Sequence, residues 1–196
     1  EELLEWWSTL SLEWETLLRE KFDITEDSVQ LDMLYKISAL DTLDLSGNKL
    51  LVDIDPIHVF RDLKYVDISR TQIKELSPIS NITFLSYLDI SYTPTEDIQF
   101  IKYSDKLNFL NISGTKVTNI DELTSLKNLR TFKAAKAPLR GFGVLENFNQ
   151  LEVLDLEESG FNNIENLKNL TKLKKLDIQG NYLINFGFLS ELKQLE

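Results

Sequence analysis

No cysteine occurs anywhere in the 196 residues. Disulfide-stapled folds, zinc ribbons and thiol nucleophiles are therefore excluded. The chain has one histidine, His58. A Ser-His-Asp triad would have a single possible base, and a histidine-rich metal site is impossible. No apolar run approaches the roughly 20 residues of a membrane-spanning helix. Cations are scarce: 21 Lys and Arg stand against 32 Asp and Glu, a net charge of −11. Phosphate backbones and anionic membranes are bound by clustered Lys and Arg. The balance thus argues against nucleic acid and anionic membranes and favours a partner with a basic patch, while the short apolar runs argue against membrane insertion. No nucleophile–base pair, phosphate loop or metal constellation is readable, so neither an enzyme nor a cofactor is expected. Gly141 and Gly143 sit in GFGVLE, which does not complete a dinucleotide motif, and they are expected to shape a turn.

What the chain does have is self-similarity at a fixed period. LDTLDLSGNKL opens at Leu40, LKYVDISRTQI at Leu63, LSYLDISYTPT at Leu85 and LNFLNISGTKV at Leu107. LRTFKAAKAPL follows at Leu129, LEVLDLEESGF at Leu151 and LKKLDIQGNYL at Leu173. The first step is 23 residues and the other five are 22, with an eighth unit beginning at Leu195. Repetition of this length marks a stacked-repeat architecture.

The shared template, L-x-x-L-x-L-x-x-N/T-x-L, resembles the leucine-rich repeat, and each position has a physical reason. Alternation through the L-x-L core sends template positions 4 and 6 inward and positions 3, 5 and 7 outward. Strands are predicted near 42–46, 65–69, 87–91, 109–113, 131–135, 153–157 and 175–179, in one parallel sheet. Position 9 holds Asn48, Thr71, Thr93, Thr115, Ala137, Ser159 and Asn181. A buried polar side chain there satisfies backbone groups of the turn, which Ala137 cannot do. The return halves are apolar every third residue: Leu76, Ile79, Ile82; Ile120, Leu123, Leu126; Ile164, Leu167, Leu170. That spacing suits short helices or 3₁₀ turns. The 22-residue length is similar to the short repeats of protein-phosphatase regulators and bacterial internalins. The resemblance implies an α/β fold, a right-handed leucine-rich-repeat solenoid. Its parallel strand ladder would line the concave face, with short helices or 3₁₀ turns on the convex face.

The repeats are expected to occupy residues 40–196 and a helical N-terminal cap residues 1–39, since a bare end would expose the solenoid core. One helix opens at Ser11, with Leu10, Trp14, Leu17 and Leu18 on one face. A second carries Leu31, Leu34 and Ile37, after a turn around Asp23–Asp27. Trp6 and Trp7 are read as cap packing, with a ligand-binding aromatic pair as the alternative. The tryptophans followed by repeats are similar to caps of bacterial repeat proteins. The last unit shows no closing cap, which leaves continuation of the chain or pairing with a second copy open.

Three outward columns would line the concave face. Position 3 gives Thr42, Tyr65, Tyr87, Phe109, Thr131, Val153 and Lys175; position 5 gives Asp44, Asp67, Asp89, Asn111, Lys133, Asp155 and Asp177. Position 7 gives Ser46, Ser69, Ser91, Ser113, Ala135, Glu157 and Gln179. Tyr65, Tyr87 and Phe109, with Tyr92 nearby, read as interface anchors or as a stack that steadies the ladder. The aspartates read as a solvated scaffold feature. Arg130, Lys133, Lys136 and Arg140 form a basic island. It could dock an acidic segment, or Arg130 and Lys133 could pair with Glu152 and Asp155. Asp155, Glu157, Glu158 and Asp177 lack the spacing of a calcium loop. The sequons at Asn81, Asn111 and Asn169 are read as incidental.

The partner-binding set expected from the sequence is therefore Tyr65, Tyr87, Tyr92, Phe109, Arg130 and Lys133, with a protein as partner. The expected function is a protein-interaction module that uses the concave face. The alternatives are a bacterial surface adhesin or host-protein binder, and the recognition or regulatory part of a larger enzyme. Compartment, cytoplasm or cell surface, and oligomeric state stay open.

Overall fold

The computed structural model describes residues 1–196, the side chain of Phe188 excepted. Seven three-residue strands fall on positions 3 to 5 of the template: β1 Thr42–Asp44, β2 Tyr65–Asp67, β3 Tyr87–Asp89, β4 Phe109–Asn111, β5 Thr131–Lys133, β6 Val153–Asp155 and β7 Lys175–Asp177. They form one parallel sheet in chain order. The register keeps equal template positions opposite one another, as in Tyr65↔Tyr87↔Phe109.

The strands are two residues shorter than the template predicts, and in six of the seven units a side-chain turn at position 5 accompanies the early end. Asp44 Oδ1 accepts from the Ser46 N–H at 2.9 Å, and Asp67, Asp89, Asn111, Asp155 and Asp177 do the same two residues on, at 2.9 to 3.1 Å. This side-chain turn competes with the strand conformation and bends the chain out of it. Inter-unit bonding then resumes: Leu45 N donates to Asp67 O at 2.7 Å and Gly47 N to Ser69 O at 2.8 Å.

The bend also corrects the expected exposure of position 7. Ser69, Ser91, Ser113 and Ala135 are buried rather than facing solvent, as is Asp89 of position 5. Only Ser or Ala stands at position 7 in those four units, small enough to tuck under the turn. The larger Glu157 is half-buried and Gln179 exposed. Position 8 then takes a left-handed backbone in every unit, with φ of 72° at Gly47, 58° at Arg70, 56° at Tyr92, 67° at Gly114, 59° at Lys136, 48° at Glu158 and 71° at Gly180. Glycine adopts this region without steric cost and other residues do not. The four non-glycine residues are held there by the next unit's carbonyl, as where Tyr92 N donates to Ser113 O at 2.8 Å.

Inward positions build one continuous core. Leucines 63, 85, 107, 129, 151 and 173 are fully buried at position 1, and Leu43, Val66, Leu88, Leu110, Phe132 and Leu154 fill position 4. The fifth unit replaces two medium side chains by a large and a small one, Phe132 and Ala134, both fully buried. Total volume is thereby nearly conserved, and Phe132 meets Phe148 edge-on at 6.0 Å. Position 9 works as its chemistry requires. Thr71, Thr93, Thr115 and Ser159 hydroxyls donate to the position-6 carbonyl of their own unit at 2.7 to 2.8 Å. Asn48 and Asn181 use their amides, and Ala137 is buried without such a bond. In the first unit the extra residue of the 23-residue step displaces Leu50, 73% exposed, and Leu51, 1% exposed, fills the core instead.

The return halves are 3₁₀ turns, from Asp55–Val59 to Gly187–Glu191, two of them started by Pro56 and Pro78. At the N-terminus the sequence reading finds two helices where three exist: α1 Glu2–Ser8, α2 Leu12–Lys21 and α3 Leu31–Ser38. Ser11 caps α2 by accepting from Trp14 N at 3.4 Å. Leu10 precedes that helix rather than lying on its face, and Leu31 is exposed while Leu34 and Ile37 are buried. Trp6 and Trp14 are buried against the first unit, their indole N–H groups donating to Pro56 O at 3.1 Å and Asp53 O at 3.2 Å. Trp6 also packs edge-on against Phe60 at 5.9 Å. At the other end the start of the eighth unit pairs with the seventh, Glu196 N donating to Lys174 O at 3.0 Å, while Tyr182, Ile184 and Phe186 are exposed.

Candidate functional site

The outward row at position 3 is the one concave column that stays accessible along its length. Tyr65, Tyr87 and Phe109 are half-buried and stacked face to face. Ring centroids are 4.0 Å apart in both pairs, with interplanar angles of 12° and 8°. The stack follows from the register, because equivalent residues of adjacent parallel strands lie about 4.8 Å apart. The rings therefore brace one another and present their edges to solvent, with two phenol hydroxyls. Burial, and next the adjacent Tyr65 hydroxyl, push the Tyr87 phenol above its usual range, with Asp89 and Asp67 adding to the effect.

Position 5 runs beside the stack on the same face. Each aspartate uses one carboxylate oxygen to cap its own strand, a role that an Asp-x-Ser spacing signals and that a charge-based reading misses. Asn111 Nδ2 also donates to Asp89 Oδ2 at 2.9 Å. Burial, followed by Coulombic repulsion from Asp89 and Asp44, holds the Asp67 carboxyl above the usual carboxylate range, against the lowering effect of its bonds to Ser69. Lys133 interrupts the column. Its ammonium stands over the Phe109 ring, 5.9 Å from the centroid.

The expected residues thus separate into one group and two outliers. Tyr65, Tyr87, Phe109 and Lys133 form a single strip. Tyr92 lies at position 8, 46% exposed, with the Arg70 guanidinium 4.6 Å from its ring centroid. Its ring covers Gly114, where an added Cβ would meet Tyr92 Cδ1 at 2.5 Å. Arg70 was not singled out in the sequence; its place at position 8, the same as Tyr92 one unit on, is the signal that marks it. Arg130 stands at position 2, at the entry to its strand, in an ion pair with Glu152 at 2.8 Å. Glu152 also pairs with Lys174 at 2.7 Å, and the bonds from Lys174 and then Arg130 hold its carboxyl below the usual range. Lys136 pairs with Glu157 at 3.5 Å. Glu157 first and Glu158 next push the Lys136 ammonium up. Of the two pairings expected for the basic island, Arg130–Glu152 forms. Lys133 makes no ion pair with Asp155, because it reaches back toward Phe109 instead.

Among the described residues, no group of three or more His, Cys, Asp or Glu side chains is placed to hold a metal ion, and no helix is long and apolar enough to cross a membrane. His58 is exposed on the convex 3₁₀ turn, with Nδ1 2.7 Å from the Asp55 carbonyl oxygen. Gly141 takes a left-handed φ of 76°, as a turn requires.

No protein-family model matches the chain, and no curated protein is similar to it in sequence. Solved structures are similar in shape. An internalin, InlF, from Listeria monocytogenes is 26% identical with a TM-score of 0.77, covering 85% of this chain and 49% of its own. Internalin C2 from the same organism is 18% identical with a TM-score of 0.77, covering 92% of this chain and 88% of its own. A leucine-rich-repeat protein of Leptospira interrogans is 20% identical with a TM-score of 0.75, covering 84% and 43%. The chain thus spans about half of InlF and less than half of the Leptospira protein. A plant peptide hormone receptor, RGFR1, solved in complex with RGF2, is similar at a TM-score of 0.59. The chain has the leucine-rich-repeat fold.

Proposed function

We propose that this chain is a protein-interaction module that holds its partner on the concave face. The stack of Tyr65, Tyr87 and Phe109 is its anchor. The observation that carries the reading is the stack itself: three large, pre-ordered and half-exposed rings on the outward face of the sheet. Rigid aromatic area loses little conformational entropy when a partner buries it, and such residues dominate interface energetics. Mutual stacking lowers that entropy further, so the bracing role and the binding role support each other. Tyr92 with Arg70, and Lys133, flank the anchor. Arg130, held by Glu152 at the strand entry, contributes to steering rather than to contact. The complex of the RGFR1 receptor with RGF2 supports peptide or protein binding by this architecture in general. The likeness to the two Listeria internalins favours, as the second reading, a surface adhesin of internalin type.

The test is capture of a partner by the native protein, followed by titration against variants. Tyr87→Ala is expected to weaken binding by at least about 1 kcal/mol while the fold survives. Lys133→Glu is expected to change the salt dependence of association. Wild-type binding by both, with loss on substitution of Trp7 or the convex turns, would move the site to another surface.

A further inference from the structure

The aromatic stack has two ends, and only one is closed. On the Phe109 side a cation from the chain itself, Lys133, stands over the ring. On the Tyr65 side the residue at the same register is Thr42, exposed and too short to cover a phenol ring. Tyr87 occupies one face of Tyr65, so the other face looks toward Thr42 and is open. Asp44 and Asp67 lie beside it, two residues further along β1 and β2 and on the same side of the sheet.

These carboxylates lack counter-charge. Carboxylates elsewhere pair readily, as in Arg130–Glu152–Lys174, Lys136–Glu157 and the Lys74–Glu96–Lys116 bridge. Among the described residues, no Lys or Arg nitrogen lies within 4.0 Å of a carboxylate oxygen of Asp44, Asp67 or Asp89. Three like charges spaced about 4.8 Å apart repel one another, which adds to the burial that chiefly pushes the Asp67 carboxyl up. Their strand-capping bonds engage one oxygen each and leave the charge uncompensated.

We propose that the first three units dock a basic, extended segment of the partner protein, with one Lys or Arg capping the free face of Tyr65 between the Asp44 and Asp67 carboxylates. This rests on the concave face being the protein-binding surface. The cation would gain the attraction of the ring face and charge-assisted bonds to the carboxylates, and would relieve their mutual repulsion. Arginine suits the place better than lysine, because its planar guanidinium stacks on a ring while its edge donates to carboxylates. Lys133 over Phe109 supplies the cation-on-ring half of this arrangement from within, at the opposite end.

The experiment selects binders to the immobilised protein from a displayed library of random twelve-residue peptides. Enriched peptides are then synthesised and titrated by fluorescence anisotropy. Expected are sequences enriched in Arg and Lys whose affinity falls at least tenfold on Asp44→Asn/Asp67→Asn. The control, Glu75→Gln/Asp62→Asn, makes the same change of charge off the sheet and should stay within twofold of wild type. Asn111 already occupies position 5 with its strand cap intact, so the amide variant is expected to fold, and a thermal melt checks it. Enriched peptides without a cation, or peptides bound equally by the Asp44→Asn/Asp67→Asn protein, overturn the proposal. If such peptides are still lost on Tyr87→Ala, the concave-face reading stands and only the cation is wrong. A selection that yields no binders, or binders indifferent to both variants, overturns the two together.

Discussion

Asp67→Asn is expected to stabilise the protein at neutral pH, although it removes a hydrogen-bonded charge from the middle of a strand column. Asp67 sits between Asp44 and Asp89 in register. Its carboxyl is raised first by burial and then by those two neighbours. A carboxyl whose pKa is higher in the folded than in the unfolded chain binds more protons when folded. Stability therefore falls as pH rises through the folded pKa, and the ionised form at pH 7 is the less favourable one. An amide keeps the oxygen that accepts from Ser69 N at 2.9 Å and drops the charge. Like-charge contacts across a sheet cost a few tenths of a kcal/mol to about 1, and partial exposure screens this one, so the gain is about 0.5 kcal/mol. For a chain of this size that is a rise in melting temperature of about 1–2 °C. Thermal melts followed by circular dichroism at pH 7 and again below pH 4 measure it. The difference should close in acid, where the wild-type carboxyl is protonated. Asp67→Ala should move the other way, by about 1–2 kcal/mol, because the buried turn N–H loses its acceptor. A destabilised Asp67→Asn at pH 7, or a gain that does not shrink in acid, would refute the assignment of the column as repulsive.

Two further perturbations test the scaffold. Leu110 is fully buried at the centre of β4 between Leu88 and Phe132, so Leu110→Ala should cost about 2–5 kcal/mol in a urea melt. Gly114→Ala should cost about 1 kcal/mol or more, because φ is 67° and the new Cβ would meet the Tyr92 ring at 2.5 Å. The same variant should displace Tyr92 from Arg70, which a crystal structure or the Tyr92 ring shifts in NMR would reveal.

The fold was legible because the repeat states its constraints seven times over. Inward leucines, the polar position 9 and the three-residue spacing of the return halves each imply a local structure, and all imply the same solenoid. Position 7 was misread because alternation alone cannot see the side-chain turn at position 5, which bends the chain two residues early and buries Ser69, Ser91 and Ser113. Helix α1 was missed because its seven residues are too few to show a period, and its place is set by Trp6 reaching Pro56 and Phe60 across the chain. At the candidate site, the alignment of Tyr65, Tyr87 and Phe109 could be read from column membership. That Tyr92 and Arg130 stand outside the stack could not be weighed until the turn at position 8 and the pairing at position 2 were visible.

The fifth unit shows how departures from the template are made tolerable and what they leave behind. Phe132 and Ala134 exchange volume within the core, so the stack of units continues without a gap. Lys133 at position 5 has no side-chain acceptor for the turn N–H of Ala135. The Ser113 hydroxyl of the preceding unit accepts that N–H instead, at 3.1 Å. Ala137 has no hydroxyl for the carbonyl of Ala134, which keeps only the backbone N–H bond from Ala137, at 3.2 Å, that Thr115 and Ser159 also make in their own units. The loss at position 5 is thus offset by the preceding unit, and the core volume is kept, so a weak match to the template still folds as a full member of the array. What the compensations leave on the concave face is Lys133, the single cation in a column otherwise made of Asp and Asn, placed over the last ring of the aromatic stack. Replacing it by the column's usual residue, Lys133→Asp, should restore the ordinary strand cap and open the Phe109 face. A basic peptide that caps Tyr65 should then gain a second, weaker place at Phe109, beside one carboxylate rather than two. Anisotropy titration with such a peptide should show the apparent stoichiometry rise from one toward two, and an unchanged stoichiometry would mean that the ring face and the carboxylate together are not sufficient to hold a cation.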